Sequence, residues 1–192
     1  MTAPGGWHVR TAPTAELGAD RLGRVRALLE ASFADRPEGP FGPDDWSHCL
    51  GGVHCWVEDD GEVLAHAAVV LRRLLHESRQ RGERVLRCGY VEAVAVRSDR
   101  RRSGLGGAVM EGVERLVHGG YDLGALGATE QGGPLYRSRG WQPWRGFLGH
   151  LTTDGVRPDP AELGKILVLP VDGVQLDLDG RLVCGMREGD PW

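Results

Sequence analysis

One carboxylate lies in an apolar run whose composition gives it no obvious packing role: Glu92, in Tyr90-Val91-Glu92-Ala93-Val94-Ala95-Val96. Side chains on a strand alternate faces, so Glu92 is expected to share a face with Tyr90, Val94 and Val96. Both faces are largely apolar, which predicts a central strand covered above and below. A carboxylate in that setting is paired, close to water, or employed in proton transfer. Downstream, Arg101-Arg102-Ser103-Gly104-Leu105-Gly106-Gly107 opens a predicted helix whose apolar residues Leu105, Ala108, Val109, Val113, Leu116 and Val117 fall at helical spacing. Glycines at a helix start expose backbone N–H groups beside positive charge, which suits a pyrophosphate. A solvated basic turn is the plain alternative. Tyr136 is the third candidate, on a predicted helix that Gly140 closes. An unperturbed phenol keeps its proton at neutral pH, and packing alone is its other reading.

The elements that must position these residues emerge from periodicity. Trp7 to Thr11 reads as a short strand and Asp20 to Phe33 as an amphipathic helix. A Pro- and Gly-rich loop comes next, then a short helix from Pro43 to Leu50, whose Asp44 and Asp45 favour a helix N-terminus or line a pocket for a cation. Val53 to Glu58, a tight turn at Asp59-Asp60-Gly61, and Val63 to Leu75 form a hairpin, and His66 within it reads as packed and hydrogen-bonded. Glu77 to Glu83 connects to the strand that begins at Leu86, completing an antiparallel meander. After the glycine-opened helix, Gly119-Gly120 ends it, Tyr121 to Leu126 is a strand, and a helix begins at Thr129 or Glu130. Leu163 to Val171, Val174 to Leu178 and Arg181 to Met186 read as late strands.

Composition bounds the rest. A chain of 192 residues and 20.8 kDa is expected to form one domain, residues 1–192. A net charge of −4 gives no general affinity for nucleic acid and mildly favours cationic ligands. Lys165 is the only lysine, which together with 30 glycines looks like compositional bias. Cys49, Cys55, Cys88 and Cys184 show no Cys-x-x-Cys spacing and are read as reduced core residues of a cytoplasmic protein, with no metal site. The N-terminus lacks a basic segment followed by an apolar run, so no secretion signal is expected, and no stretch suits a membrane.

The order strand, Arg101-x-x-Gly104-x-Gly106, helix resembles the acetyl-coenzyme A signature of the GNAT superfamily of N-acetyltransferases. A dinucleotide-binding reading fails on glycine spacing, and a Walker-type loop lacks its Gly-Lys-Ser/Thr. Longer segments narrow the resemblance: Leu64-Ala-His-Ala-Ala-Val, Arg87-Cys-Gly-Tyr-Val-Glu-Ala-Val-Ala-Val-Arg, Leu135-Tyr-Arg-Ser-Arg-Gly-Trp-Gln-Pro-Trp144 and Asp190-Pro-Trp192 are similar to the aminoglycoside 2'-N-acetyltransferases over most of residues 20–192. The resemblance implies an α+β fold with a mixed, mostly antiparallel sheet flanked by helices, and acetyl-CoA in a splay between central strands. It implies an acyltransferase that acetylates the 2'-amine of aminoglycosides directly, and a homodimer.

By the same resemblance Glu92 is the general base, directly or through one water, or else a charge that anchors the substrate, and Tyr136 is the general acid. Val94, Ala95 and Val96 pair with pantetheine, and Arg101, Arg102, Ser103, Gly104, Leu105, Gly106 and Gly107 hold the pyrophosphate. Asp35, Asp45, Glu92, Ala93, Glu162, Asp190 and Trp192, the last through its terminal carboxylate, are the implied substrate contacts. An acetyltransferase of the same fold for another small amine, such as an endogenous amino sugar or thiol-cofactor precursor, is the alternative. A non-catalytic acyl-CoA binding module is a third.

Overall fold

The computed structural model describes residues 6–36 and 39–192. The first residues of the N-terminus read for a secretion signal, and the middle of the Pro-rich loop, lie outside the described residues. The chain forms two compact units, residues 1–70 with 91–115, and residues 71–90 with 116–192.

In the first unit, β1 (Arg10–Pro13) pairs antiparallel with β2 (Val53–Asp59), and β2 with the first half of β3 (Glu62–Ser78). Helix α1 runs over Thr14–Ser32, beginning six residues before the apolar stripe that predicted it. Pro13 stands at its N-cap and Gly18, at φ 71°, kinks it, so the added turn, mixed in polarity and carrying the buried Leu17, falls out of phase with the apolar stripe. Val25, Leu28 and Leu29 of α1 pack with Trp56, Val63 and Ala95, and Phe33, Phe41 and Trp46 close the cluster. Short helix α2 (Pro43–Cys49) carries the last of these aromatics. The second half of β4 (Gly82–Val96) belongs to this unit, and the N–H of Arg97, just past it, donates to the Leu64 carbonyl at 2.9 Å. A 3-10 turn at Ser98–Arg100 then leads to α3 (Leu105–Gly120), whose Leu105, Ala108, Val109, Met110 and Val113 are fully buried, as the stripe required.

The second unit is built on the strand order β6-β9-β5-β4-β3-β10-β7-β8, with β5 (Leu123–Gly127), β6 (Gln142–Pro143), β7 (Leu148–Thr152), β8 (Gly155–Pro158), β9 (Ile166–Pro170) and β10 (Arg181–Cys184). The β4–β5 and β10–β7 pairs are parallel, whereas β10–β3, β5–β9, β6–β9 and β7–β8 are antiparallel, giving the expected mixed α+β sheet. Helix α4 (Gly133–Ser138) comes after β5 and is shorter than predicted, because Gly132-Gly133-Pro134 delays its start. The expected connection at Glu77 to Glu83 is a tight turn between long strands.

Val174 to Leu178 is not a strand. The Val174 N–H closes a turn onto the Val171 carbonyl, and the Leu178 carbonyl accepts from the amides of Arg145 and Gly146 rather than from a ladder. The β7–β8 hairpin in turn was not foreseen, since its strands are short and half-exposed. All four cysteines are buried thiols. No helix among the described residues is long and apolar enough to cross a membrane.

Gly89 of β4 and Gly124 of β5 lie opposite one another in the parallel register. A Cβ on Gly89 would stand 2.9 Å from the Tyr121 ring, and one on Gly124 would stand 2.9 Å from Trp141 and 3.2 Å from Val117. The smooth backbone at this pair lets Val117 and its neighbours pack directly on the sheet. Gly124→Ala therefore overpacks a rigid ring and is expected to lower unfolding free energy by ~1–3 kcal/mol in urea titration. A midpoint equal to that of the natural chain would show that the neighbours move aside freely.

Candidate active site

β4 does not alternate regularly to its end. Ala93 has φ 52°, a left-handed conformation that costs an L-residue about 1–2 kcal/mol and that inside a strand acts as a bulge. Tyr90 and Val91 are both buried, whereas Glu92, Ala93 and Val94 are all half-exposed. The expectation of one face shared by Tyr90, Glu92, Val94 and Val96 is therefore corrected at Ala93, where the turned backbone re-aims the last residues of the strand.

His66 meets that turn from β3. Its Nδ1 lies 3.0 Å from the Ala93 carbonyl, its Nε2 lies 2.8 Å from His54 Nδ1 on β2, and His54 Nε2 lies 2.8 Å from the Thr14 hydroxyl at the start of α1. Both rings have no solvent exposure. Burial lowers the pKa of His54 to about 4; burial, and after it the neighbouring His54, lowers that of His66 to about 3, so both are neutral at pH 7. His66 is packed and hydrogen-bonded, as its place among alanines predicted. His54 was not anticipated, although it precedes Cys55 in the partner strand.

The turn after β4 is shaped by two further left-handed residues, Arg102 at φ 61° and Gly104 at φ 85°. The Gly104 carbonyl accepts the first intrahelical hydrogen bond of α3 from the Ala108 N–H at 3.0 Å, and the Trp7 indole N–H donates to the Ser103 carbonyl at 2.9 Å. Arg97 is drawn to Asp99 at 2.7 Å, while Arg101, Arg102, Ser103 and Gly104 are exposed. The amides of the first turn of a helix lack intrahelical acceptors. A loop presenting those amides beside Arg101 and Arg102 fits a diphosphate.

Asp35 is exposed in the turn after α1. Asp45 pairs with Arg36 at 2.9 Å and accepts the Gly42 N–H at 2.8 Å, which makes it the capping acid of α2. Burial raises its pKa, but the Arg36 and Gly42 hydrogen bonds outweigh burial and hold the carboxyl below its usual range.

In the second unit, Tyr136 sits on α4 with 7% of its surface exposed and its ring 6.3 Å from that of Trp141. Burial pushes its phenol up to about 12, so it holds its proton throughout the neutral range. Glu162 lies in the loop before β9 and pairs with Lys165 at 3.2 Å. The Asp190 side chain accepts the Trp192 N–H at 2.9 Å, and Trp192 is 5% exposed. Its indole N–H donates to Asp159 Oδ2 at 2.8 Å, the same oxygen that His150 Nδ1 approaches at 2.7 Å. Arg72 donates to the Pro191 carbonyl at 2.7 Å and Arg187 to the main-chain oxygen of Trp192 at 2.6 Å. Asp159, His150, Arg72 and Arg187 were missed by sequence reasoning. Asp159 stands between two prolines and reads as loop, and nothing in its spacing signals a partner 33 residues away. A cleft of about 560 Å³ beside this segment is lined in part by His150, Thr152, Met186, Arg187, Glu188 and Pro191.

Residues 23–131 match the acetyltransferase (GNAT) family. The chain is 45% identical over 175 residues to an aminoglycoside 2'-N-acetyltransferase of Mycolicibacterium fortuitum, covering 90% of this chain and 85% of that one. Among solved structures it is similar to Escherichia coli ElaA, with a TM-score of 0.55 at 18% identity, covering 84% of this chain and 99% of that one. It is also similar to a GNAT family acetyltransferase from Brucella melitensis in complex with acetyl-CoA, with a TM-score of 0.56 at 17% identity, covering 91% and 94%. These two likenesses show the fold.

The buried imidazole pair makes stability depend on pH. With folded pKa values of about 4 and about 3 against an ordinary 6.5, the unfolded chain takes up protons first as pH falls. The stabilisation is complete above pH ~6.5 and is lost on acidification toward the folded values, at up to ~1.4 kcal/mol per pH unit for each ring. Urea unfolding at pH 7.5 and pH 5.0 should show the difference, and His54→Leu should flatten it. Equal free energies at the two pH values would mean that the rings are charged or solvated in the native state.

Proposed function

The chain belongs to the GNAT acetyltransferase family and, within it, to the aminoglycoside 2'-N-acetyltransferases, and on that premise we propose that it transfers acetyl from acetyl-CoA to the 2'-amine of an aminoglycoside. The observation that carries the reading is the 45% identity extending over 90% of the chain. Residues 1–192 then form one acetyltransferase domain, acting in the cytoplasm as a homodimer.

An ammonium has no lone pair, so the amine must lose a proton before it attacks. Glu92 takes that proton, directly or through one water. The half-exposure of Glu92 beside the bulge leaves it accessible for this, where a fully enclosed carboxylate would not be. When bound, acetyl-CoA supplies the activated acetyl group as a thioester. The Val94 N–H donates to the carbonyl oxygen of that group, where negative charge develops. Val94, Ala95 and Val96 align the pantetheine by backbone pairing, and the turn Arg101 to Gly107 holds the pyrophosphate. Tyr136 keeps a proton at neutral pH and delivers it to the departing thiolate. The enzyme's contribution is then largely alignment of two bound reactants.

The substrate carries several ammonium groups; Asp35, Asp45, Glu162, Asp190 and Trp192 supply acceptors for them, and Ala93 contacts the substrate beside Glu92. Asp45 does so only by sharing its charge with Arg36, and Glu162 by sharing its charge with Lys165, so each contributes less than an unengaged carboxylate.

Purified protein with acetyl-CoA should acetylate gentamicin or tobramycin and leave kanamycin A, which has a hydroxyl at the 2' position, unmodified there. Equal acetylation of both kinds at one site defeats the regiochemical assignment. Glu92→Gln should lower turnover by roughly ten- to ten-thousand-fold, as loss of a general base does, with coenzyme uptake by calorimetry unchanged. Undiminished turnover would remove Glu92 from catalysis. Tyr136→Phe should lower turnover and alter the alkaline limb of the pH profile; an unchanged rate and profile would make the residue structural.

A further inference from the structure

The hydrogen-bond chain through Thr14, His54 and His66 ends on the carbonyl of the one left-handed non-glycine residue of β4. Its proton positions are determined link by link. The Ala93 carbonyl can only accept, so His66 Nδ1 must carry a hydrogen. A neutral imidazole then has a bare Nε2, which must accept from His54 Nδ1–H, and the bare His54 Nε2 accepts from the Thr14 hydroxyl. The Thr14 oxygen is itself oriented by the Gly51 N–H at 3.0 Å. The Thr14 hydroxyl also lies 3.2 Å from the Gly52 carbonyl, but the bare His54 Nε2, at 2.8 Å, is its nearer acceptor, and both rings adopt the Nδ1–H tautomer.

The chain's terminus matters because a peptide unit is planar and trans. Fixing the direction of the Ala93 carbonyl fixes the opposite direction of the N–H in the same plane, which is that of Val94. The peptide is thus gripped at its carbonyl by His66, which sends the Val94 N–H on its opposite edge the other way, in a stretch where Glu92, Ala93 and Val94 are half-exposed. A left-handed alanine by itself has no such preference and would gain about 1–2 kcal/mol by relaxing to an ordinary extended conformation.

We propose that His66, supported by His54 and Thr14, is a positioning residue for acetyl transfer, holding the Ala93–Val94 peptide so that the Val94 N–H is preset toward the thioester carbonyl. The role rests on the acetyltransferase reading, and no atom of His66 touches a reacting group. His66 acts on the transition state through the peptide it grips, since a donor already aimed needs no reorganisation when charge develops.

The test compares His66→Leu with His66→Asn, whose side-chain N–H can take the place of Nδ1–H on the Ala93 carbonyl although it loses the bond to His54. With gentamicin and acetyl-CoA, His66→Leu should lower kcat by roughly 10- to 1000-fold, the range expected for a displaced oxyanion donor, while KM for both substrates changes less than about threefold. His66→Asn should restore most of kcat. Imidazole 15N spectra of the natural chain should show two neutral Nδ1–H tautomers, and this measurement stands even if the leucine variant does not fold. Three results overturn the proposal: full kcat in His66→Leu, equal loss in both variants in proportion to lost stability, or an Nε2–H tautomer at His66. A natural chain that takes up coenzyme A yet acetylates no amine overturns the acetyltransferase reading itself, and the role falls with it; active natural protein with an insensitive His66 overturns the positioning role alone.

Discussion

A strand that must run straight for hydrogen bonding and yet turn at one residue needs something to hold the turn. In β4 that residue is Ala93, and the holding group is His66 Nδ1–H on its carbonyl. An alanine in the left-handed region costs about 1–2 kcal/mol, comparable to one good buried hydrogen bond, so the bulge is stable only as a joint property of β4, β3, β2 and the start of α1. Ala93 also packs on the cluster of Trp56, Leu29 and Val25. The same set of contacts thus secures the first unit's core and the local shape on which the chemistry of Glu92 and Val94 is proposed to depend.

The neutral histidine pair suits this task better than a charged link would. Two buried imidazolium ions in contact would repel, whereas two neutral rings in matched tautomers leave no polar atom of the chain unsatisfied. The cost is sensitivity to acid, because a proton added to either ring has nowhere favourable to sit.

The second unit solves a different problem, that of fixing the irregular segment after β10, which no ladder holds. Here Arg72 grips the Pro191 carbonyl, Arg187 grips the main-chain oxygen of Trp192, and the Trp192 indole is anchored on Asp159. The aromatic body is buried and its one donor is satisfied, so both halves of the side chain contribute.

Much of this was legible in the chain. The meander, the glycine-opened helix with its apolar stripe, and the late strands at Ile166 and Arg181 are all short-range patterns, and short-range patterns are what periodicity and capping record. The extra turn of α1, the β7–β8 hairpin and the loop at Val174 to Leu178 were not, because their residues are mixed in polarity and are held by backbone hydrogen bonds to distant segments. The bulge at Ala93 left no mark at all: alanine is neither a turn former nor a left-handed residue, and the group that holds its carbonyl, His66, stands 27 residues away in the chain. Residue types and local spacing therefore determined which groups are available for chemistry. Where those groups point was decided by tertiary hydrogen bonds between residues as far apart as Thr14, His54, His66 and Ala93, since a carbonyl's direction depends on its partner in space and not on its neighbours in sequence.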